Sequence, residues 1–384
     1  MTKAKRDILY IHHSGLFGGA PRSLSYIIKN INLDTYNVKL INIAEGPINS
    51  FLEKLPGNFE IVTGIKPFHG STVAPKSIKL FLRNLFFLLP SIYNAYKVIK
   101  QNPSDIIHLN STCLFCFAIA LKFISRKTII IAHVREPLRS TLSGSLTAYF
   151  IKNCTDGVIA ISDYDLSTLH IEDDNFPKIV VYNFVEESDI PTSSIKNYAL
   201  HEQLNISKNS FVILYLARFA DSNGWKELIE MALKIIPENS NFHFVLVGAH
   251  EKEDLNYINN KNIHLLPFQK EVSTFFLNSD LFVCPFVEPH FARGIIEASY
   301  AGLPILANNV ASVNELVLDG ETGFLYNNFL EFKNCLQHLA NDSLLRKELG
   351  SNGKLYAKEN FNLVKQCKKT FDFYDSVKLI STHG

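Results

Sequence analysis

The chain has few cysteines, and they show no disulfide framework: Cys113, Cys116, Cys154, Cys284, Cys335 and Cys367 are scattered through apolar segments. Cys113 and Cys116 form a C-x-x-C, but no second pair accompanies them to build a zinc site. No uninterrupted apolar run reaches the roughly 18 residues that a bilayer-spanning helix needs. No hydrophobic leader precedes the strand pattern in "MTKAKRDILYIHH", so a reducing, cytoplasmic setting is expected. A net charge of +1 excludes a nucleic-acid binder driven by bulk charge. Tandem repeats and low-complexity segments are absent as well.

What is present is an ordinary globular composition, 47% hydrophobic and 20% charged over 384 residues, enough for two domains with cores of useful size. The first half alternates β-rich runs with helical patterns: "DILYIHH" then "APRSLSYIIKNI", "YNVKLINIA" then "INSFLEKL", "DIIHLN" then "LFCFAIALKFI". That alternation predicts a doubly wound parallel sheet. It stops in a polar stretch and restarts at "FVILYLARF". The expected division is residues 1–185, a linker at 186–209, a second doubly wound domain at 210–362, and a C-terminal helix at 363–384 packing back on the first domain. The fold class is α/β, with two Rossmann-like domains facing across a cleft and ligands expected at the carboxyl ends of the strands.

The even charge conceals an asymmetry. Residues 1–200 hold 21 Lys and Arg against 16 Asp and Glu, and residues 66–135 hold ten basic residues against one acid, Asp105. Within that region, "SIKLFLRNLFFLLPSIYNAYKVIK" at 77–100 reads as a helix pair broken near Pro90, its apolar face turned to the core. The alternative is peripheral contact with an anionic membrane, since Leu and aromatic residues are interleaved there with Lys76, Lys79, Arg83, Lys97 and Lys100.

The segment most suggestive of chemistry is "VCPFVEPHFARGIIEASYAGLPILA", residues 283–307. A strand ends in Pro285, a loop runs from Glu288 to Arg293, and a helix is expected from Gly294 with Glu297 in its first turn. Backbone N–H groups at such a helix start suit an anion such as phosphate. The two carboxylates suit neutral hydroxyls, as on sugars, flanking that anion. Elsewhere, "DYD" at 163–165 follows a strand and opens a helix, where Asp163 fits a cap better than a metal ligand, and no metal is expected. His12 and His13 end the first strand. His133 ends another, in "AHVREP", with Arg135 and Glu136 beside it as acceptor-binding candidates and Glu136 as a candidate base.

"EPHFARGIIEASYAGLPILANN" resembles the donor-site signature of retaining glycosyltransferases of the GT-B architecture, family 4 type. The resemblance extends over nearly the whole chain through "YIHHSGLFGGAPRSL", "AHVREP", "VYNFV", "LYLARFADSNGWKELIEMA" and "VNELVLDGETGFLY". It implies a nucleotide diphosphate-sugar co-substrate, UDP- or GDP-linked, and no further cofactor. By position it implies that Glu297 holds the ribose and that Glu288 and His133 reach the transferred sugar. Phe291, Ala292, Arg293 and Gly294 would bring their backbone to the sugar and diphosphate, Arg218 would neutralise the diphosphate, and Gly18 and Gly19 would close over it. The acceptor implied is a saccharide, or a lipid-linked saccharide of bacterial surface polysaccharide assembly.

Two departures stand out. Glu288 and Glu297 are nine positions apart where the family has eight, which makes His290 or Phe291 an insertion, and Asn223 stands where the family places a phosphate-binding lysine. They leave two rival readings open, a sugar-nucleotide epimerase of the same fold and a non-catalytic sugar-nucleotide binding subunit.

Overall fold

The structure, a computed structural model, describes residues 4–72, 76–124, 127–186 and 196–377. The chain divides into two compact units, one comprising the described residues up to Asn183 together with those from Leu363 onward, the other Phe184–Asn362. Residues 187–195 of the expected linker and 378–384 of the expected C-terminal segment lie outside the described residues.

The first unit begins with β1 (Arg6–His12), α1 (Gly19–Lys29), β2 (Tyr36–Asn42), α2 (Asn49–Leu52) and β3 (Asn58–Ile61). It continues through α3 (Ile78–Gln101), β4 (Ile106–Leu109), α4 (Phe115–Leu121), β5 (Ile129–Val134) and α5 (Leu142–Cys154) to β6 (Gly157–Ala160), α6 (Asp163–Ser167) and β7 (Lys178–Val180). Its seven strands are ordered β3-β2-β1-β4-β5-β6-β7, and every pairing is parallel. The central strands are near-continuous runs of buried Ile, Leu and Val, as a sheet covered on both faces requires.

The second unit holds α7 (Ala199–Leu204), β8 (Phe211–Leu216), α8 (Trp225–Ile235), β9 (Phe242–Ala249), α9 (Lys252–Leu255) and β10 (Ile263–Pro267). After these come α10 (Ser273–Asn278), β11 (Leu281–Cys284), α11 (Arg293–Ala301), β12 (Ile305–Asn308), β13 (Gly323–Tyr326), α12 (Phe329–Asn341) and α13 (Ser343–Asn360). Its six parallel strands run β10-β9-β8-β11-β12-β13 around one core that includes Trp225, Phe244, Leu281 and Phe332. The last helix, α14 (Leu363–Ser376), belongs to the first unit. The Tyr374 hydroxyl lies 2.8 Å from His108 Nδ1, and Asp375 pairs with Arg6 at 2.7 Å.

Two local expectations change, the helix pair and the Asp163 cap, and the structure adds detail at the C-x-x-C and at the last helix. Residues 77–100 form one continuous helix: Pro90 and Phe86, whose carbonyl loses its donor, are both exposed, so water can take up the missing bond. Ser162, not Asp163, caps α6, its Oγ accepting from Asp165 N at 2.9 Å, while Asp163 accepts from the Tyr182 hydroxyl. Cys113 sits on a 3₁₀ turn ahead of α4, with Cys116 in the helix proper and both buried. On α14, Cys367 and Tyr374 are buried, but Val364 is exposed and Gln366, Thr370 and Phe373 complete the buried side.

Candidate functional site

Strand order reverses between β8 and β11 in the second sheet, and a crevice opens at the carboxyl end of such a switch point. Arg218 follows β8 by two residues and Glu288 follows β11 by four, so the topology alone brings these two loops together. The Arg218 carbonyl accepts from the Tyr215 hydroxyl at 3.1 Å, from Asn223 Nδ2 at 2.8 Å and from Ala220 N at 2.8 Å. The backbone is thereby pinned while the guanidinium stays exposed. Ser222 O accepts from the amides of both Val287 (3.1 Å) and Glu288 (3.3 Å), and Asn308 Nδ2 donates to Phe286 O at 2.9 Å. The loop carrying Glu288 is therefore tied to its neighbours on both sides. Gly224 makes this possible: at φ +67 it occupies the left-handed region, and a Cβ there would lie 1.9 Å from Pro285 O.

Helix α11 starts at Arg293, one residue before the expected Gly294, and no side chain caps it. Its first-turn amides are thus not taken by a capping side chain. The earlier start moves Glu297 out of the first turn and sets it at i+4 from Arg293, whose Nε donates to Glu297 Oε1 at 3.1 Å. Both side chains are largely enclosed, at 15% and 9% exposure, so the carboxylate is held in one orientation. Gly294 serves packing: a Cβ would approach Phe282 Cζ to 2.8 Å and Leu216 O to 3.0 Å, which lets the helix lie close against β8 and β11.

Both departures from the family pattern have a structural role. His290 stacks on Phe286 with ring centroids 4.2 Å apart, and its Nδ1 donates to Glu288 O at 3.0 Å. That bond fixes the tautomer and leaves the Nε2 lone pair bare. Burial first, with Arg218 nearby, lowers its pKa to about 4. Asn223 is buried and holds the Arg218 turn, and Lys226 is engaged with Asp221 at 2.9 Å. Restoring the family's residue is therefore not expected to improve the site. Asn223→Lys removes the amide that donates to Arg218 O and forces an ammonium into its enclosed position, with an expected loss of about 2 kcal/mol in urea unfolding and weaker nucleotide binding. Tighter binding by calorimetry would show that the amide has no such role.

At the first sheet, order reverses between β1 and β4. His12 ends β1, and its Nδ1 accepts from Asn110 Nδ2 at 3.0 Å. Arg135, 8% exposed, donates through Nε and Nη2 to Asn110 Oδ1 (3.0 and 2.7 Å) and through Nη1 to Asn183 Oδ1 at 3.3 Å. Asn183 Oδ1 also accepts from Ser23 of α1 at 2.9 Å. The guanidinium thus braces the β4 and β7 loops, with Asn110 carrying the link on to His12 of β1, and the sequence reading missed Asn110 and Asn183, for which "HLN" and "VYN" at strand ends were the available signal. Glu136 Oε2 accepts from Ser71 Oγ at 2.5 Å.

His133 is buried, its Nδ1 lying 3.2 Å from His108 Nε2. His108 Nδ1 in turn meets the Tyr374 hydroxyl, which points on to Tyr10. Because Tyr374 donates to Tyr10, His108 Nδ1–H donates to the Tyr374 hydroxyl and His133 Nδ1–H to His108 Nε2, which leaves His133 Nε2 as a buried acceptor with no hydrogen-bond partner among the described residues. Gly18 and Gly19 lead into α1. Gly18 has extended backbone, and a Cβ at either would meet nothing within 4 Å, so packing within the chain does not demand glycine at these positions.

Burial also lowers the pKa of His13 and of His264 to about 4, and holds His12, His108 and His133 well below the ordinary value. The folded state then binds fewer protons than the unfolded one wherever pH lies between about 4 and about 6.5. Stability from these groups is complete above about 6.5 and is lost as pH falls toward 4, by up to about 1.4 kcal/mol per pH unit for each of His12, His13, His108 and His133, and by less for the more solvent-screened His264. The urea midpoint is therefore expected to drop steeply from about pH 7 to about pH 5, and equal midpoints would contradict the buried neutral state.

Two Rossmann-like units on one chain, each built on a parallel sheet with its own reversal of strand order, are the elements of the GT-B fold class. Residues 197–356 match the family model described as Glycosyl transferases group 1. The chain is 27% identical over 261 residues to the capsular polysaccharide biosynthesis glycosyltransferase CapM of Staphylococcus aureus, covering 62% of this chain and 68% of that one. It is 24% identical over 395 residues to the UDP-Gal:alpha-D-GlcNAc-diphosphoundecaprenol alpha-1,3-galactosyltransferase of Escherichia coli, covering 97% of each. Among solved structures, HepE of Anabaena in complex with UDP-glucose superposes with a TM-score of 0.79 at 21% identity, covering 97% of this chain and 100% of that one. WaaG, a glycosyltransferase involved in lipopolysaccharide biosynthesis, does so with a TM-score of 0.70 at 14% identity, covering 95% of this chain and 98% of that one. The chain is a glycosyltransferase of GT-B architecture.

Proposed function

We propose that this protein is a retaining, metal-independent glycosyltransferase of the family 4 type that moves a sugar from a UDP- or GDP-sugar to a hydroxyl of a lipid-linked saccharide in bacterial surface polysaccharide assembly. The observation that carries the reading is the set of groups at the β8/β11 switch point. There an exposed guanidinium on a pinned turn, an uncapped helix start and an Arg293-oriented Glu297 offer complementary partners for a diphosphate and a ribose. The capsular and undecaprenol-linked activities named for the S. aureus and E. coli relatives supply the acceptor class.

In this mechanism the bond between the sugar's anomeric carbon and the diphosphate oxygen breaks, and the acceptor oxygen forms its new bond on the same face. The acceptor's proton passes to the departing phosphate. Arg218 and the α11 amides take up the charge that develops on the leaving group, and Glu288 orients the sugar hydroxyls. The departures do not favour a binding-only protein, since Asn223 and His290 are both built into the site's loops.

A panel of nucleotide-sugars screened for thermal stabilisation identifies the donor. Transfer to lipid-linked acceptors, unaffected by chelator and giving product of the donor's anomeric configuration, tests the rest. An epimer formed without acceptor would make the protein an epimerase. Donor binding with neither hydrolysis nor transfer would make it a binding subunit.

A further inference from the structure

Helix α3 is apolar on two faces, whereas a helix on a soluble domain needs only one. Phe81, Leu88, Ile92, Ala95, Val98 and Ile99 pack into the two cores of the first unit. On the other side Ile78, Leu82, Leu85, Phe86, Leu89 and Tyr93 are exposed, from 39% at Leu85 to 80% at Ile78. At 100° per residue these six fall within about 100° of arc and form a continuous stripe along a helix about 36 Å long. Isolated surface leucines need no explanation, but a contiguous stripe holding two residues at 76% exposure, Phe86 and Leu89, does.

The charges around the stripe indicate what covers it. Lys79, Arg83, Lys97 and Lys100 are exposed, Lys79, Arg83 and Lys97 lie along one border of the stripe, and Lys76 precedes the helix. None of these five forms an ion pair with a described residue, and α3 contains no Asp or Glu. A second copy packed isologously on this face would set like cations against one another with no acid on the helix to offset them. A surface combining an apolar layer with fixed negative charge satisfies both halves of the pattern. Among the described residues no helix is long and apolar enough to cross a bilayer, which leaves the in-plane orientation.

We propose that α3 docks in the plane of an anionic lipid surface, its stripe entering the headgroup boundary and its cations meeting lipid phosphates. This goes beyond the transferase reading and stands on α3 alone, so it survives if the acceptor proves to be soluble. The test is co-sedimentation of the full chain with phosphatidylglycerol-containing vesicles and with pure phosphatidylcholine vesicles, at low and at high salt. Strong binding to the anionic vesicles is expected, weakening with salt. Lys79→Glu/Arg83→Glu/Lys97→Glu should lower partitioning about tenfold or more, and Phe86→Glu/Leu89→Glu by a similar factor. Both variants should keep the wild-type Tm and soluble-acceptor transfer rate, because only exposed side chains change. Wild-type protein left in the supernatant with anionic vesicles, or equal, salt-insensitive binding to both vesicle types, would overturn the proposal. So would a wild-type dimer that Phe86→Glu/Leu89→Glu converts to monomer while vesicle binding is unchanged, or retention of both variants on anionic vesicles at wild-type levels.

Discussion

Glu297→Ala is expected to weaken binding of the free nucleoside diphosphate about a hundredfold or more, whereas Glu288→Ala leaves that affinity within about threefold and acts on the sugar instead. The difference follows from placement. Glu297 sits in α11, enclosed and oriented by Arg293 at 3.1 Å, where its carboxylate is assigned the ribose hydroxyls. Two charge-assisted hydrogen bonds contribute about 3 kcal/mol or more together. Glu288 lies on the preceding loop and is assigned the transferred sugar, which a free nucleotide lacks. Calorimetric titration with nucleotide alone and with nucleotide-sugar separates the roles, and the reverse ranking would sink the assignment. Loss of Glu297 also removes the carboxylate partner of a largely enclosed guanidinium, at a cost of about 3 kcal/mol in stability. Affinity loss from unfolding must therefore be told apart from loss of contact. Arg293→Met/Glu297→Leu replaces the pair with apolar groups of similar size and should recover most of the stability but none of the affinity. Recovery of both would mean that the carboxylate only supports the helix.

How far the sequence revealed this site depended on whether the signal was periodic or steric. Strand and helix alternation was plain, because buried parallel strands are runs of Ile, Leu and Val between amphipathic helices, and it carried the two-sheet organisation. The loop from Glu288 to Arg293 between a strand and a helix was legible too, although the helix starts one residue earlier than expected. The helix in 77–100 was not, since Pro90 reads as a break unless one knows that its turn faces solvent. Asn223 was read as a missing lysine. Only the structure shows its amide under the Arg218 carbonyl, a contact between residues five apart that no spacing rule marks. Asn110 and Asn183 were missed for a similar reason: their partner, Arg135, is brought to them by strand order, and pairing across a parallel sheet leaves no local pattern. Residues on turns and strand ends, where tertiary contacts outweigh propensity, are where sequence reasoning gave out.

Arg218→Ala is expected to lower kcat by about a hundred- to a thousandfold while leaving Tm nearly unchanged, the opposite balance to Glu297. Two other cations near the second sheet's carboxyl edge are already engaged. Lys226 is paired with Asp221 at 2.9 Å, Arg293 is committed to Glu297, and the family's lysine position holds Asn223. Arg218 is exposed and forms no ion pair with any described residue, while its carbonyl is fixed by three donors. A side chain free of internal partners on an immobilised turn costs little to reorganise when a diphosphate leaves, and it adds little to folding. Arg218→Lys keeps the charge but loses the planar fork that spans two phosphate oxygens, so an intermediate loss of about tenfold is expected. Because the contact strengthens as charge develops on the leaving group, the effect should fall on kcat more than on donor Kd. A kcat reduced less than about threefold in Arg218→Ala, with folded protein and saturating donor, would remove the guanidinium from the mechanism and leave the α11 amides as the principal anion partner.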